Sequence, residues 1–252
     1  MEKKFPEHMV PLENTKFVFS CHPGAGCFTI CCKNVDMYLF PYDVIRLKNA
    51  LGIDSETFLR NNTRLIQGNN PYFPSLMMKL TDDEGRACPF LLEDGCSVYN
   101  DRPSSCRTYP LERAVDRDPG RNKADDFYFL TNHSYCLGHK EGRMFSVKDW
   151  IRNQKLDSYN MMNDLWAEID SMIMTNPWRG EGSGGPKQQL AFMICYNIDT
   201  FRKYLSTNRL LQEFRLSREQ KTRIERDDSE LLKFGFQWLK HLLTGKSNLM
   251  TR

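Results

Sequence analysis

Eight of the nine cysteines fall between Cys21 and Cys136. The first group reads Cys21-His-Pro-Gly-Ala-Gly-Cys27-Phe-Thr-Ile-Cys31-Cys32, and the second is Cys88, Cys96, Cys106 and Cys136 at widening intervals. In an oxidising compartment such a set forms disulfides, whereas in a reducing one it ligates metal. A tetrahedral thiolate centre takes four ligands, so eight thiols allow two complete sites, or one site with further thiols beside it. Paired Cys-x2-Cys knuckles, the ordinary spacing of structural zinc, occur in neither group. Soft sulfur donors suit iron-sulfur clusters and zinc alike, so an iron-sulfur centre is the first expectation and zinc the alternative. The bland reading is that these are small buried hydrophobes. It fits Cys195, which follows Ile194 in a periodic apolar stretch, but the other eight are surrounded by turn-forming residues.

Neighbouring side chains admit two readings each. Arg102, Arg107 and Arg113 flank Cys106 and are placed to offset thiolate charge or donate to sulfur; Arg102 and Arg107 serve equally well as braces on backbone carbonyls, Asp43 or Asp101. His22, His133 and His139 are replacement ligands in principle and exposed loop residues by default. Tyr99 and Tyr109 either cover a cluster from water or simply pack. The methionines at 161, 162, 172 and 174 read as helix packing, with partner binding as the other use of such a face. No Ser-His-Asp set, phosphate cradle or informative carboxylate pair is present.

Two kinds of sequence must position these residues. Up to about residue 140 the chain is rich in Cys, Pro, Gly, Asn and Asp, which predicts a loop-dominated module with short helices. Pro41 through Leu51, stopped by Gly52, reads as one helix, and Asp54 as the N-cap of another over Ser55 to about Arg60. From Ser146, a capping residue with Asp149 three positions on, Ile151, Tyr159, Met162, Leu165, Ile169 and Met172 predict one long amphipathic helix. The run Gly180 to Pro186 reads as a linker, with no strand before it of the kind a methyl-donor site uses. Leu190, Ile194, Ile198, Phe201 and Leu205 then predict a second stripe. Ser217 with Gln220 caps a third segment carrying Ile224, Leu231, Phe234, Trp238 and Leu242.

The balance of 35 basic against 32 acidic residues gives a net charge of only +3, which argues against nonspecific nucleic-acid binding. A 40% hydrophobic and 12% aromatic content is that of a folded globular protein. The chain has no apolar run of the roughly 20 residues that a spanning helix needs, and the N-terminus has no long apolar stretch after its lysines. A cytoplasmic protein is expected.

The segments Cys27-x3-Cys31-Cys32-x8-Pro41-Tyr-Asp43-Val-Ile-Arg46-Leu47, Cys88-Pro-Phe-Leu91 and Cys96-Ser-Val-Tyr99-Asn-Asp-Arg102-Pro103-x2-Cys106-Arg107-Thr-Tyr109-Pro110-Leu111 resemble the YkgJ family of cysteine-cluster proteins over residues 17 to 145. Cys136-Leu-Gly-His-Lys-Glu-Gly142 resembles its closing element. The chain departs from the pattern in the five residues between Cys21 and Cys27, where a tighter pair is usual, and in Leu137, where proline is usual. The resemblance implies metal binding by these cysteines, and one branch of the family resembles a flagellin lysine methylase.

The expectation is therefore a mainly α fold with few or no strands: a cysteine-ligated module over residues 1–145 and a helical extension, 146–252, packed on it. Cys21, Cys27, Cys31, Cys32, Cys88, Cys96, Cys106 and Cys136 are the expected ligands of one or two iron-sulfur clusters, 4Fe-4S by type, with Arg102 and Arg107 as cofactor-binding residues. The expected role is electron transfer or support of a modifying enzyme, with the C-terminal helices docking a protein partner. The alternatives are a zinc-stabilised interaction module without catalysis and a protein-modifying enzyme of the methylase branch.

Overall fold

The computed structural model describes residues 11–12, 15–116, 125–178, 180–182, 184–245 and 247–252; the N-terminal leader reading falls outside them. The chain divides into two compact units, each assembled from separated segments. The first draws on residues up to Val35, on Thr81–Tyr99 and on Ser104–Ser158; the second on Asp36–Leu80, Asn100–Pro103 and Tyr159–Arg252.

In the first unit Phe17–Phe19 pairs antiparallel with Arg143–Phe145, and Leu111–Asp116 pairs antiparallel with Asp125–Leu130. Phe17, Phe19, Leu111, Tyr128 and Phe145 from these strands close around Trp150 and Leu156, with Cys136 packed at the edge. Trp150 lies on the short helix Val147–Asn153, whose N-cap Ser146 accepts from the Asp149 amide at 3.2 Å. A capped helix with one aromatic face turned to two ribbons buries that face at the cost of few ordered residues.

The second unit contains a three-stranded antiparallel sheet with Ser75–Met78 between Tyr38–Leu39 and Thr63–Ile66. Helices Pro41–Leu51 and Ser55–Asn62 start as expected. Pro41 occupies the first turn, Gly52 ends the helix at φ 65, and Asp54 accepts from the Thr57 amide at 2.9 Å. The core is aromatic: Phe73 stacks with Trp178 and Tyr196 and meets Trp166 and Phe192. Buried Lys48 bridges Asp199 at 3.1 Å and Asp228 at 2.8 Å, and Arg202 also pairs with Asp228.

The expectation of a mainly α chain with few or no strands is wrong. Among the described residues 46% are helical and 16% are strand, in nine helices and four small sheets, which makes the fold mixed α and β. Five of the described strands run only two or three residues, too short for the alternation that identifies a strand, and the longer ones, such as Ser75–Met78 and Leu111–Asp116, do not alternate. The three long helical stripes are also broken. Lys155, at φ 52, separates Val147–Asn153 from Asp157–Ile173. Asn197 separates Pro186–Tyr196 from Ile198–Thr207, and Asp227 separates Arg218–Arg226 from Asp228–Thr244. Asn197 and Asp227 each cap the following helix through a side-chain oxygen. Such side chains compete with helix continuation for backbone amides, while the hydrophobic period runs on unbroken across them. Leu242, expected on the buried stripe, is 46% exposed.

Candidate metal centre

All eight clustered cysteines belong to the first unit. Residues 22–33 form a chain of tight turns: Ala25 donates to the His22 carbonyl, Phe28 to Ala25, Ile30 to Cys27 and Cys32 to Thr29, each at 2.9 to 3.1 Å. Thr29 sits at φ 65 immediately before the single turn Ile30–Cys32. Coiling the backbone in this way confines Cys27, Cys31 and Cys32 to a short stretch of chain.

The next two cysteines are pinned to that coil by backbone bonds. The Cys88 amide donates to the Cys32 carbonyl at 2.7 Å and the Asn34 amide to the Arg86 carbonyl at 2.9 Å, on either side of a bridge between Lys33 and Ala87. A two-residue hairpin then pairs Leu91 with Cys96, held by the Ser97 amide and hydroxyl on the Phe90 carbonyl at 2.9 and 3.0 Å. Cys106 is exposed on the one-turn helix Ser104–Thr108. That turn is anchored at its far end, where Trp150 Nε1 donates to the Thr108 carbonyl at 2.9 Å and buried Arg107 donates to the Gln154 carbonyl at 2.7 Å. Cys136 follows a turn closed by its own amide on the His133 carbonyl at 2.9 Å, and the Leu137 amide donates to Cys27 Sγ at 3.2 Å.

The thiols influence one another. Cys32 donates to Cys31 and so brings the Cys31 thiol down to about 7, against the opposing effect of burial. Cys32 is pushed up by that same bond, by burial, and by the charges of Cys31, Cys106 and Cys88. Burial raises Cys88, with Cys96 adding to it. Burial also raises Tyr109 and Tyr135, and Cys136 and Cys31 act on both phenols. Cys31, Cys32, Cys88, Cys96, Cys106 and Cys136 thus fall within one linked electrostatic neighbourhood. Thiolates so crowded repel one another, and a bound cation is what relieves that repulsion. In residue type the donor set suits a thiophilic metal or cluster. Among the described residues no group of three or more His, Cys, Asp or Glu side chains is placed to hold a metal ion.

The remaining sequence candidates are placed as follows. His22 Nε2 lies 3.3 Å from Glu141 Oε1 on the surface. His133 stacks between Tyr109 and Tyr135, with ring centroids 5.7 and 5.1 Å away. His139, expected in an exposed loop, is half-buried against Phe19 and Tyr109, with Nε2 inaccessible to water and no hydrogen-bond partner. Tyr109 has its hydroxyl buried close to the Cys136 thiol, whereas Tyr99 is 57% exposed. Arg113 pairs with Asp126 at 2.8 Å along the hairpin. Arg102 is buried, and Asp101 pairs with Arg46. Cys195 is buried in its helix, as expected. Sequence reasoning missed Tyr135 and the Leu137 amide. Adjacency to Cys136 was the available signal for the first, and a backbone donor leaves none.

A family model, CxxCxxCC, described as "Putative zinc- or iron-chelating domain", matches residues 20–137 and so encloses all eight clustered cysteines. No curated protein and no solved structure matches the chain. No helix among the described residues is long and apolar enough to cross a membrane.

Proposed function

We propose, from the match of residues 20–137 to the CxxCxxCC model described as "Putative zinc- or iron-chelating domain", that the cysteine unit holds an iron-sulfur centre and works in electron transfer, alone or in support of a modifying enzyme. Cys21, Cys27, Cys31, Cys32, Cys88, Cys96, Cys106 and Cys136 would supply the ligands, four to a cluster, of one or two such centres. What carries the reading is the backbone bonding that draws three separate cysteine-bearing stretches together, the Cys88 amide on the Cys32 carbonyl at 2.7 Å and the Leu137 amide on Cys27 Sγ at 3.2 Å. Soft, mutually repelling donors from distant loops are the chemistry of a thiolate-bound metal. The lack of paired short knuckles favours a cluster over structural zinc.

A bound cluster supplies one-electron transfer. The chain's own residues shape its surroundings: Cys136 packs with Tyr109 against the core that holds Phe19, and Arg107 holds the turn that presents Cys106. Burial and backbone donors of this kind set the potential of such centres. The cytoplasm would keep the thiols reduced before loading. The C-terminal helices would meet the protein partner, since Met161, Met174 and Leu242 are exposed there.

Anaerobic purification followed by iron, zinc and acid-labile sulfide analysis tests the proposal. Iron and sulfide together, with visible absorption that bleaches under dithionite, is the expected result. A colourless protein with stoichiometric zinc and no sulfide overturns it in favour of the zinc-stabilised interaction module.

A further inference from the structure

The loop that carries the first cysteines and the loop that carries the last are fastened to each other through their backbones. Beyond the pairing of Phe19 with Arg143, the Ser20 amide donates to the Gly138 carbonyl at 2.9 Å. The approach is close enough to require glycine. A Cβ at Gly138 would lie 2.5 Å from the Ser20 carbonyl oxygen, and one at Gly142, where φ is +112, would lie 2.4 Å from Ser20 Cβ. His22 and Glu141 meet across the same seam at 3.3 Å. At the end of the seam the Leu137 N–H meets Cys27 Sγ at 3.2 Å, and the Leu137 side chain lies over Gly26.

We propose that the Leu137 backbone N–H is a positioning donor for a metal-bound Cys27, fixing where that sulfur points and drawing charge from its thiolate. The inference rests on the metal-centre reading above and deepens it. A hydrogen bond to a charged acceptor is about twice as strong as one between neutral groups, so this contact strengthens when Cys27 loses its proton to ligation. Outer donors of this sort orient the ligand and tune the metal.

The test uses the full-length chain, isotopically labelled and loaded with spin-active cadmium in place of the native metal. The expected result is a through-bond NMR coupling between cadmium and the Leu137 amide proton, transmitted across the N–H···S bond, alongside couplings to the Cys27 β-protons. Cadmium held by the other thiols with no coupling to Leu137 overturns this inference and leaves the metal centre standing. Failure of the thiols to retain cadmium, iron or zinc removes the metal-centre reading itself. Two variants separate the donor from the side chain. Leu137→Pro deletes the N–H and should weaken cadmium binding about tenfold, the low end for loss of an outer-shell partner, with a displaced sulfur-to-cadmium absorption band. Leu137→Ala keeps the N–H and should retain both affinity and band. Equal losses in the two variants would assign the effect to packing over Gly26 and refute the donor role. Should Leu137→Pro fail to fold, the coupling in the unmutated chain still decides.

Discussion

Replacing Trp150 with phenylalanine tests whether the hydrophobic core of the first unit is what presents Cys106. Trp150 is 5% exposed and meets Phe17, Phe19 and Phe145 edge-on, with ring centroids 5.7, 5.6 and 5.0 Å away. Its Nε1 donates to the Thr108 carbonyl, at the end of the turn that carries Cys106. Phenylalanine keeps an aromatic ring there but removes the donor, and leaving a buried carbonyl unpaired costs about 1–3 kcal/mol. The volume vacated by the second ring adds about 1 kcal/mol when the site relaxes only in part. Together these give a loss of about 2–4 kcal/mol, a large share of the roughly 5–15 kcal/mol that holds a domain folded. Hydrogen exchange at the paired amides of Phe17–Phe19 and Arg143–Phe145 reads the opening of this unit without using tryptophan as a probe. Protection in Trp150→Phe should fall by the factor corresponding to that energy, and metal binding should weaken with it, because ligation and folding are linked. Protection and metal affinity both within about 0.5 kcal/mol of the parent, the range of an ordinary surface change, would refute the reasoning.

Three further outcomes follow from the same structure. Cys106→Ser should lower bound metal and destabilise the first unit while Cys195→Ser, in the helical core, keeps full metal content; metal analysis of the two proteins side by side checks this. Gly142→Ala should destabilise the seam at Ser20 by about 1 kcal/mol or more, because its φ of +112 is unfavourable to any side chain and its Cβ would collide with Ser20; urea unfolding reads the loss, and parental stability would contradict it. Burial pushes the Asp228 carboxyl up, but the hydrogen bonds from Lys48 and Arg202 more than offset it and hold its pKa below the ordinary carboxylate range. That stabilisation is fully present above the unfolded pKa of about 4 and is lost as pH falls through the lower folded value. Acid unfolding of the second unit should therefore become less steep in Lys48→Met, and an unchanged acid limb would count against the network.

What the sequence made legible was local. Asp54, Ser146 and Ser217 announced helix starts because a cap acts on amides only two or three residues away, and Pro41 with Gly52 bracketed a helix for the same reason. Asn197 and Asp227 were readable in principle as caps, but an unbroken apolar period concealed them. The pairing of Phe17–Phe19 with Arg143–Phe145 links residues more than a hundred positions apart, and no local pattern encodes such a partner. Arg113 pairs with Asp126 of the neighbouring strand, a partner thirteen positions away that no local charge pattern announces. The Leu137 contact is invisible for another reason, since every residue but proline carries that donor.

The interleaving of the two units bears on the order in which the protein can mature. Residues 36–80 of the second unit are threaded between Cys32 and Cys88 of the first. Such an excursion adds little to the equilibrium cost of bringing the thiols together, because closure entropy grows only logarithmically, about 0.6 kcal/mol for each doubling of length. It does impose a schedule during translation. The four leading cysteines leave the ribosome long before Cys136 and the strand Arg143–Phe145 that fastens their loop, so until that strand arrives the nascent thiols stand open to oxidants and stray ions, and a chaperone or a metal-delivery protein would have its opportunity in that interval.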